Sequence, residues 1–288
     1  MRAAQIIKGI DKYINTAGIC WTLRTLSPMV MEQVPQMDAY VRSEYETVAP
    51  ALVNAWDKGR ELSSVLGITY RDDGIKMTED AKPLRDYDSL PIPAYDLLPD
   101  LEPYFVTAPA GKPFTILYTS KGCPFKCSFC TVAGTPWKMR SAPGIMEELR
   151  FLKERYGLKT ASFFDETFTF NRKRVEELCH QMKEEDLRIK WYCNTRAHLV
   201  DRDLLDLMRS SGCRGISFGI ESGSQRILDS VDKHISVEQA KSAVQAARQA
   251  RIKTFCSFIL GLPGEDWDSV NETLRFVKET LPTSAQFN

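Results

Sequence analysis

From about Phe114 onward, short runs of β-branched and aromatic residues alternate with stretches in which apolar residues recur at helical spacing. The short runs predict strands, and the stretches between them predict amphipathic helices. We therefore expect repeated β-α units around a parallel sheet. The predicted strands are F-T-I-L-Y-T, T-A-S-F-F, I-K-W-Y-C-N, R-G-I-S-F-G-I and T-F-C-S-F-I-L.

Apolar stripes and terminal signals define the predicted helices. The first is expected to follow Pro143 and Gly144 and to end at Gly157, because glycine tolerates the left-handed conformation that often ends a helix. Ser236 and Gln239 have the spacing of a capping box at the start of a later helix. The expected inward residues are Ile145, Leu149, Leu152 and Tyr156; Val175, Leu178, Cys179 and Met182; Val237, Ala240, Val244 and Ala247; and, in a last helix from near Asp266, Val270, Leu274 and Val277.

The order of these elements predicts a barrel or partial barrel of the triosephosphate-isomerase type. In such barrels the chemistry lies on loops at the C-terminal ends of the strands. The final residues, T-S-A-Q-F-N, have the pattern of a sixth strand that has only begun. We therefore expect a partial barrel in a chain that is a fragment.

The residues before Phe114 have a different pattern. Proline is frequent between Lys82 and Pro113, and D-S-L-P-I-P-A-Y-D-L-L-P cannot form a helix through its prolines. Short strand and helix signals precede this segment and predict a small α/β unit. The expected division is therefore a small α/β unit at residues 1–80, a proline-rich linker at 81–113 and the barrel core at 114–288.

Composition and charge exclude several classes of protein. Lys and Arg total 38, as do Asp and Glu, so bulk charge does not favour binding to nucleic acid. The N-terminal segment mixes charged with apolar residues, unlike a signal peptide, and no run reaches the roughly 18 apolar residues of a membrane helix. Eight cysteines without a framework spacing predict reduced thiols and a cytoplasmic protein with no membrane partner.

Three of the cysteines, Cys123, Cys127 and Cys130, follow the first predicted strand of the barrel. A closed structural zinc site needs four ligands, usually two close pairs, and the other cysteines are isolated in the sequence. Three thiolates on a cluster of four irons would leave one iron open to another ligand. A zinc site and a redox site remain alternatives for such a short cluster of cysteines.

The spacing C-x-x-x-C-x-x-C, with Phe129 directly before the last cysteine, resembles the radical S-adenosylmethionine superfamily. In that family the open iron of a 4Fe-4S cluster binds the amino and carboxylate groups of S-adenosylmethionine. One electron from the reduced cluster then breaks the sulfonium bond and gives a 5′-deoxyadenosyl radical. The resemblance covers roughly residues 114–288 and implies that Cys123, Cys127 and Cys130 bind the cluster.

Four later segments, each at the end of a predicted strand, resemble family segments that contact S-adenosylmethionine or substrate. F-F-D-E-T-F resembles the segment that binds the amino group of S-adenosylmethionine, and C-N-T-R resembles the segment that holds a carboxylate or ribose. G-I-E-S-G resembles a segment that contacts the ribose, and I-L-G-L-P-G-E resembles one that contacts the adenine. Taken singly, each segment could also be a helix cap, a solvent-facing charge or a turn. The residues implied as cofactor contacts are Phe129, Asp165, Glu166, Thr167, Asn194, Arg196, Glu221, Ser222 and Gly261.

His198, like the other two histidines, is expected at the surface, and Trp191 and Tyr192 are expected to serve packing.

The N-terminal region resembles the cobalamin-binding subgroup of the superfamily. M-D-A-Y-V-R-S-E-Y-E, G-I-T-Y-R-D-D-G and the proline-rich segment resemble the exit from a Rossmann-like cobalamin domain and the linker to the barrel. Arg42, Glu44 and Glu46 fit that pattern, whereas Ser43 stands where a glycine is usual. The motif Asp-x-His-x-x-Gly is absent, so we expect an incomplete domain that does not bind cobalamin well; a small accessory fold is the alternative.

The resemblance implies an oxygen-sensitive enzyme that begins by reductive cleavage of S-adenosylmethionine. Cobalamin ancestry adds methyl transfer, a radical rearrangement or cyclisation as outcomes. The implied partners are a small-molecule substrate, which the sequence does not identify, and an electron donor such as flavodoxin or ferredoxin. The alternatives are a methylthiotransferase, which the lack of further clustered cysteines disfavours, a metal or electron-transfer protein without this cleavage, and an inactive fragment.

Overall fold

The computed structural model describes residues 2–98 and 111–288. The chain divides into two compact units, Met1–Leu90 and Pro91–Asn288. The division into a remnant domain, linker and core stays a prediction, and residues 99–110 of the predicted linker lie outside the described residues. None of the described helices is both long and apolar enough to cross a membrane.

The first unit is built on a mixed sheet. Its described elements are α1 (Arg2–Ile10), β1 (Ala17–Ile19), α2 (Ser27–Gln33), β2 (Ala39–Val41), α3 (Tyr45–Asp57), β3 (Ile68–Arg71) and β4 (Ile75–Met77). Strands β1 and β2 are parallel, whereas β3 and β4 extend the sheet in the antiparallel sense. Val48 and Leu52 of α3 belong to the same buried cluster as Val41 and Ile68 of the sheet, so this unit has its own small core.

The second unit contains a parallel sheet whose strands follow chain order. The described strands of this unit are β5 (Phe114–Leu117), β6 (Ser120–Lys121), β7 (Lys138–Met139), β8 (Thr160–Phe163), β9 (Lys190–Thr195), β10 (Cys213–Glu221), β11 (Lys253–Phe258) and β12 (Ser284–Phe287). The sheet order is β5-β8-β9-β10-β11-β12, with every neighbouring pair parallel, while β6 and β7 form a separate antiparallel pair. Among the described strands, β5 and β12 do not pair with each other, so the predicted partial barrel is confirmed.

Helices cover one face of this sheet. They are α4 (Ala142–Tyr156), α5 (Arg172–Glu184), α6 (Arg202–Ser210), α7 (Gln225–Ser230), α8 (Val237–Gln249) and α9 (Trp267–Thr280). Alternate strand residues such as Ala161 and Phe163 are buried beneath them, and Phe163 packs ring to ring with Phe168 and Trp191. Tyr192 lies on the opposite face, where a Cβ on Gly215 would come within 2.7 Å of its ring. Both aromatic residues of β9 therefore serve packing, as predicted.

The start of α4 differs from the prediction. The helix begins at Ala142, so Pro143 and Gly144 lie in its first turn. Proline is tolerated there because its missing N–H would have no acceptor within the helix. The Ser141 hydroxyl accepts from the Gly144 N–H at 3.1 Å, and Gly157 ends the helix with φ +65° as expected.

The buried face of α9 also differs from the prediction. Leu274, expected to point inward, is 41% exposed. Hydroxyl groups can occupy the inner face because they donate hydrogen bonds to carbonyls of their own helix. Thr273 donates to the carbonyl of Ser269 at 3.0 Å, and Thr280 donates to the carbonyl of Phe276 at 2.8 Å. A pattern of apolar residues does not detect such a face. The buried residues of α9 are Ser269, Thr273, Phe276 and Thr280.

The capping box of α8 gives a test of this fold. The Ser236 hydroxyl accepts from the Gln239 N–H at 3.0 Å, and the Gln239 side chain accepts from the Ser236 N–H at 2.8 Å. We expect Ser236→Ala to lower the free energy of unfolding by about 1 kcal/mol, measured by urea denaturation. Ser210→Ala is the control, because that exposed hydroxyl donates only to the carbonyl of Leu207. Equal losses in the two variants would contradict the assignment of the cap.

Candidate active site

The three clustered cysteines lie in the loop between β6 and β7, residues 122–137, which we name the cysteine loop. Gly122 has φ +86°, and a Cβ there would clash with the carbonyl oxygen of Pro136, so the loop requires glycine at this turn. The Thr135 hydroxyl accepts from the Cys123 N–H at 3.0 Å and donates to the carbonyl of Val132 at 2.7 Å. Internal hydrogen bonds thus set the path of the loop.

All three loop cysteines line one cleft of about 410 Å³, together with residues from the C-terminal ends of β8 to β11. Each is a free thiol; Cys123 and Cys127 are buried and Cys130 is partly exposed. The other residues that line the cleft are Phe129, Val132, Phe164, Glu166, Thr167, Asn194, Thr195, Arg196, Ser217, Gly219, Glu221, Lys233 and Ser257. The structure therefore brings the predicted site residues together, except Asp165, Ser222 and Gly261.

Asp165 does not line the cleft because hydrogen bonds enclose its carboxylate. It accepts from the N–H and hydroxyl of Thr119 and from the hydroxyl of Ser120, each at 2.6 Å. Arg174 donates to the same carboxylate at 3.3 Å and to the carbonyl of Phe168 at 2.9 Å. The structure thus places Asp165 in a buried network at the base of the cysteine loop, and its predicted contact with an amino group stays a prediction. Sequence reasoning missed Arg174, which stands in the sequence as one charge of K-R-V-E-E-L.

Ser222 and Gly261 also lie outside the cleft lining. The Ser222 hydroxyl is 3.3 Å from that of Thr273 and accepts from the Ser224 N–H at 3.1 Å, so its bonds are internal. Gly261 has φ +84°, and its N–H donates to the carboxylate of Glu265. Among the described residues, no heavy atom beyond Gly261 and its two chain neighbours lies within 4 Å of the place where a Cβ would stand, so the turn conformation is what requires glycine here.

A buried ion pair joins Glu221 and Lys233 at 2.8 Å inside the cleft. Glu221 follows an irregularity in the pairing of β10 with β11 and has φ +72°, a conformation rare for residues other than glycine. A Cβ on Gly219 would come within 2.6 Å of the Glu221 carboxylate, so that glycine leaves room for the pair. Sequence reasoning missed Lys233, because nothing in the turn D-K-H indicates a partner twelve residues away.

Arg196 directs its guanidinium toward the protein. Its Nη1 donates to the Cys127 Sγ at 3.1 Å, and its Nη2 donates to the carbonyl of Lys233. The guanidinium carbon lies 4.0 Å from the centroid of the Phe125 ring. This buried side chain therefore contacts the cysteine loop, and its predicted contact with a carboxylate or ribose stays a prediction.

Burial changes the proton affinities around the cleft. It raises the pKa of the Glu166 carboxyl, with a further increase from the charge of Asp165, and it raises the pKa of the Cys130 thiol. His198 is partly buried against Phe125, not at the surface as predicted, with 5.4 Å between the ring centroids. Burial, with the positive charges of Arg196 and Lys233, lowers the pKa of His198 to about 4, so this imidazole is neutral at pH 7.

The donor set fits an iron-sulfur cluster better than a single metal ion. In residues 2–98 and 111–288, no three His, Cys, Asp or Glu side chains are arranged to hold a metal ion. A cluster does not need such a point of convergence, because its thiolates bind different iron atoms. Three free thiols on one cleft, one of which already accepts from a guanidinium, are suitable ligands for three irons.

The fold, the cysteine loop and the cleft agree with comparisons to known proteins. The family model of the radical SAM superfamily matches residues 117–277, and the chain belongs to that superfamily. An uncharacterized methyltransferase of Pyrococcus horikoshii is 38% identical over 268 residues, which cover 91% of this chain and 58% of the relative. The anaerobic magnesium-protoporphyrin IX monomethyl ester cyclase of Rubrivivax gelatinosus is 33% identical over 301 residues, covering 99% of this chain and 53% of the relative. The chain thus spans a little more than half the length of these relatives.

Solved structures share the fold. The radical S-adenosylmethionine methyltransferase TsrM of Kitasatospora setae, with cobalamin and a [4Fe-4S] cluster bound, superposes with a TM-score of 0.80 at 17% identity, covering 99% of this chain and 57% of TsrM. The cobalamin-dependent S-adenosylmethionine radical enzyme OxsB gives a TM-score of 0.77 at 19% identity, covering 94% of this chain and 40% of OxsB. At these identities the likeness shows the fold alone.

The buried pair of Asp165 and Arg174 predicts non-additive mutations. Either Asp165→Asn or Arg174→Met leaves an uncompensated buried group and should lower the free energy of unfolding by about 3–5 kcal/mol. The double variant should lose less than the sum of the two, because no unpaired charge remains. Urea denaturation of the four proteins measures this coupling. Arg188→Met, in an exposed pair with Asp186, is the control and should have little effect. Strict additivity of the two changes would contradict the pairing.

The low pKa of His198 predicts a pH dependence of stability. Because its folded pKa is about 4 against an ordinary value of 6.5, the unfolded chain binds the proton more readily between these values. Stability from this residue is therefore present above pH 6.5 and falls as the pH decreases toward 4. We expect His198→Gln to flatten thermal stability over this window, with the exposed His180→Gln as the matched control. If the thermal stability of His198→Gln fell with decreasing pH as steeply as that of the parent, the pH dependence would not come from His198.

Proposed function

We propose that this chain binds a 4Fe-4S cluster through Cys123, Cys127 and Cys130, binds S-adenosylmethionine in the adjoining cleft and cleaves it reductively. One observation carries the proposal: the three free thiols of a single loop line the same cleft as polar side chains from four successive strand ends. Membership of the radical SAM superfamily supports it. The cleft is also large enough for a small-molecule ligand.

Residues of the cleft suit the polar groups of S-adenosylmethionine. When bound, a reduced cluster supplies the electron that breaks the sulfonium bond. Glu166 and Thr167 offer acceptors for an ammonium group, and the Thr167 hydroxyl lies 3.9 Å from the Cys123 sulfur. Asn194 and Glu221 offer acceptors for ribose hydroxyls on the other side of the cleft. Phe129 contributes an apolar surface beside them.

We propose that the complete protein uses this cleavage for methyl transfer or cyclisation, since the relatives include a methyltransferase and a cyclase. TsrM and OxsB hold cobalamin, but we expect that the described residues of the first unit do not bind that cofactor well. The sheet of this first unit has a single parallel pair, β1 with β2. The sequence also has no histidine before His180 that could act as the lower ligand of cobalamin. We therefore assign to this chain the cleavage of S-adenosylmethionine and no step through cobalamin.

The proposal implies a reducing compartment and two partners. All eight cysteines are free thiols, which suits the cytoplasm. The electron would come from a donor such as flavodoxin or ferredoxin. The other partner is a small-molecule substrate, and the balanced charge of the chain does not favour nucleic acid.

Anaerobic reconstitution tests the proposal. The chain is treated with iron and sulfide, then with dithionite and S-adenosylmethionine, and the iron content, the absorption spectrum and 5′-deoxyadenosine are measured. We expect a cluster and release of deoxyadenosine from the parent. The variant with Cys123→Ala, Cys127→Ala and Cys130→Ala should do neither, because it lacks the three thiolates.

Two further results define the controls. Cys20→Ala removes a thiol outside the cysteine loop and should behave as the parent does. Zinc binding by the parent without assembly of a cluster would contradict the proposal. A cluster without deoxyadenosine would retain the metal assignment and reject the cleavage.

A further inference from the structure

The contact between Arg196 and Cys127 has a defined direction. A guanidinium has only donors, so in the 3.1 Å contact from Nη1 the Cys127 sulfur is the acceptor. A thiolate accepts such a bond more strongly than a thiol does, because the bond is then charge-assisted at both ends. Arg196 is therefore a charged donor to the sulfur of one proposed ligand of the cluster.

The guanidinium is held in place by contacts on its other sides. Its Nη2 donates to the carbonyl of Lys233, and its central carbon lies 4.0 Å from the centroid of the ring of Phe125, two residues before Cys127. The Ser128 N–H donates to the carbonyl of Val231 at 3.0 Å, which is a second link between the cysteine loop and the same turn. Only 6% of Arg196 is exposed, and the two terminal nitrogens of its guanidinium both take part in these contacts.

The charge of Arg196 is not cancelled by a carboxylate. Lys233, the other buried cation of the cleft, is paired with Glu221 at 2.8 Å. Across the described parts of the chain, Arg196 forms no ion pair, and its Nη1 donates to the Cys127 sulfur. A fixed, uncompensated positive charge therefore lies at hydrogen-bond distance from one proposed ligand of the cluster.

We infer that Arg196 is a positioning residue that raises the reduction potential of the cluster through its hydrogen bond to the Cys127 thiolate. The inference rests on the proposed function, because it assumes that Cys127 binds iron. Reduction transfers one electron from an external reductant to the cluster and neither forms nor breaks a bond. The added negative charge is stabilised by a nearby positive charge and by hydrogen bonds to the ligand sulfur, so both contacts favour the reduced state.

Potentiometric titration with dithionite, followed by the electron paramagnetic resonance signal of the reduced cluster, tests the inference without a catalytic assay. At a fixed potential we expect Arg196→Met to lower the ratio of reduced to oxidised cluster about tenfold, which for a one-electron couple corresponds to about 59 mV. Arg196→Lys should lower it less, because an ammonium keeps the charge but cannot reach both Cys127 and the Lys233 carbonyl. Arg140→Met is the matched control: Arg140 is equally buried and pairs with Glu148, with no contact to a loop cysteine.

The outcomes separate the inference from the proposed function. A parent chain that assembles no cluster overturns the proposed function. The inference is overturned if the cluster of Arg196→Met has the same reduction potential as that of the parent, or if Arg140→Met shifts the potential as much as Arg196→Met does. Either result leaves the proposed function intact. If Arg196→Met loses the cluster, the test rests on Arg196→Lys. A reduction potential below that of the parent then supports the inference, and an unchanged potential overturns it.

Discussion

The position of the cysteine loop depends on the buried carboxylate of Asp165. A carboxylate removed from water is costly unless donors surround it, and here Thr119, Ser120 and Arg174 supply them. The carbonyl of Thr119 also accepts from the Arg140 N–H at 2.9 Å, so the residues on both sides of the loop meet at one point. The network therefore fixes where the chain leaves β5 and where it returns after β7, on the two sides of the cysteine loop.

The alternation of side chains along the strands produces the cleft. One face of the sheet is buried under helices, which leaves the small or polar residues Asn194, Ser217 and Gly219 on the other face, where they line the cleft. At the end of β10, the irregular pairing and the positive φ of Glu221 bring its carboxylate to Lys233. Arg196, by contrast, forms no such ion pair among the described residues and donates to the Cys127 sulfur of the cysteine loop.

Local features were predictable from the sequence, and long-range partners were not. Strand periods, the capping box at Ser236 and the helix end at Gly157 depend on neighbouring residues, and the structure has them as expected. Resemblance to family segments indicated residues near the cleft but not the direction of their side chains, as Asp165 and Arg196 show. Arg174 and Lys233 have no local signal, because their partners come from other strands and loops.

The chemistry proposed for this chain does not depend on its first unit. Every residue that lines the cleft lies between Cys123 and Ser257, within the unit Pro91–Asn288. The Asp165 network and the contacts of Arg196 are also formed within that unit. The residues proposed to bind the cluster and S-adenosylmethionine therefore all lie in the partial barrel. A core that holds the proposed site by itself is compatible with relatives that are named for different activities, a methyltransferase and a cyclase.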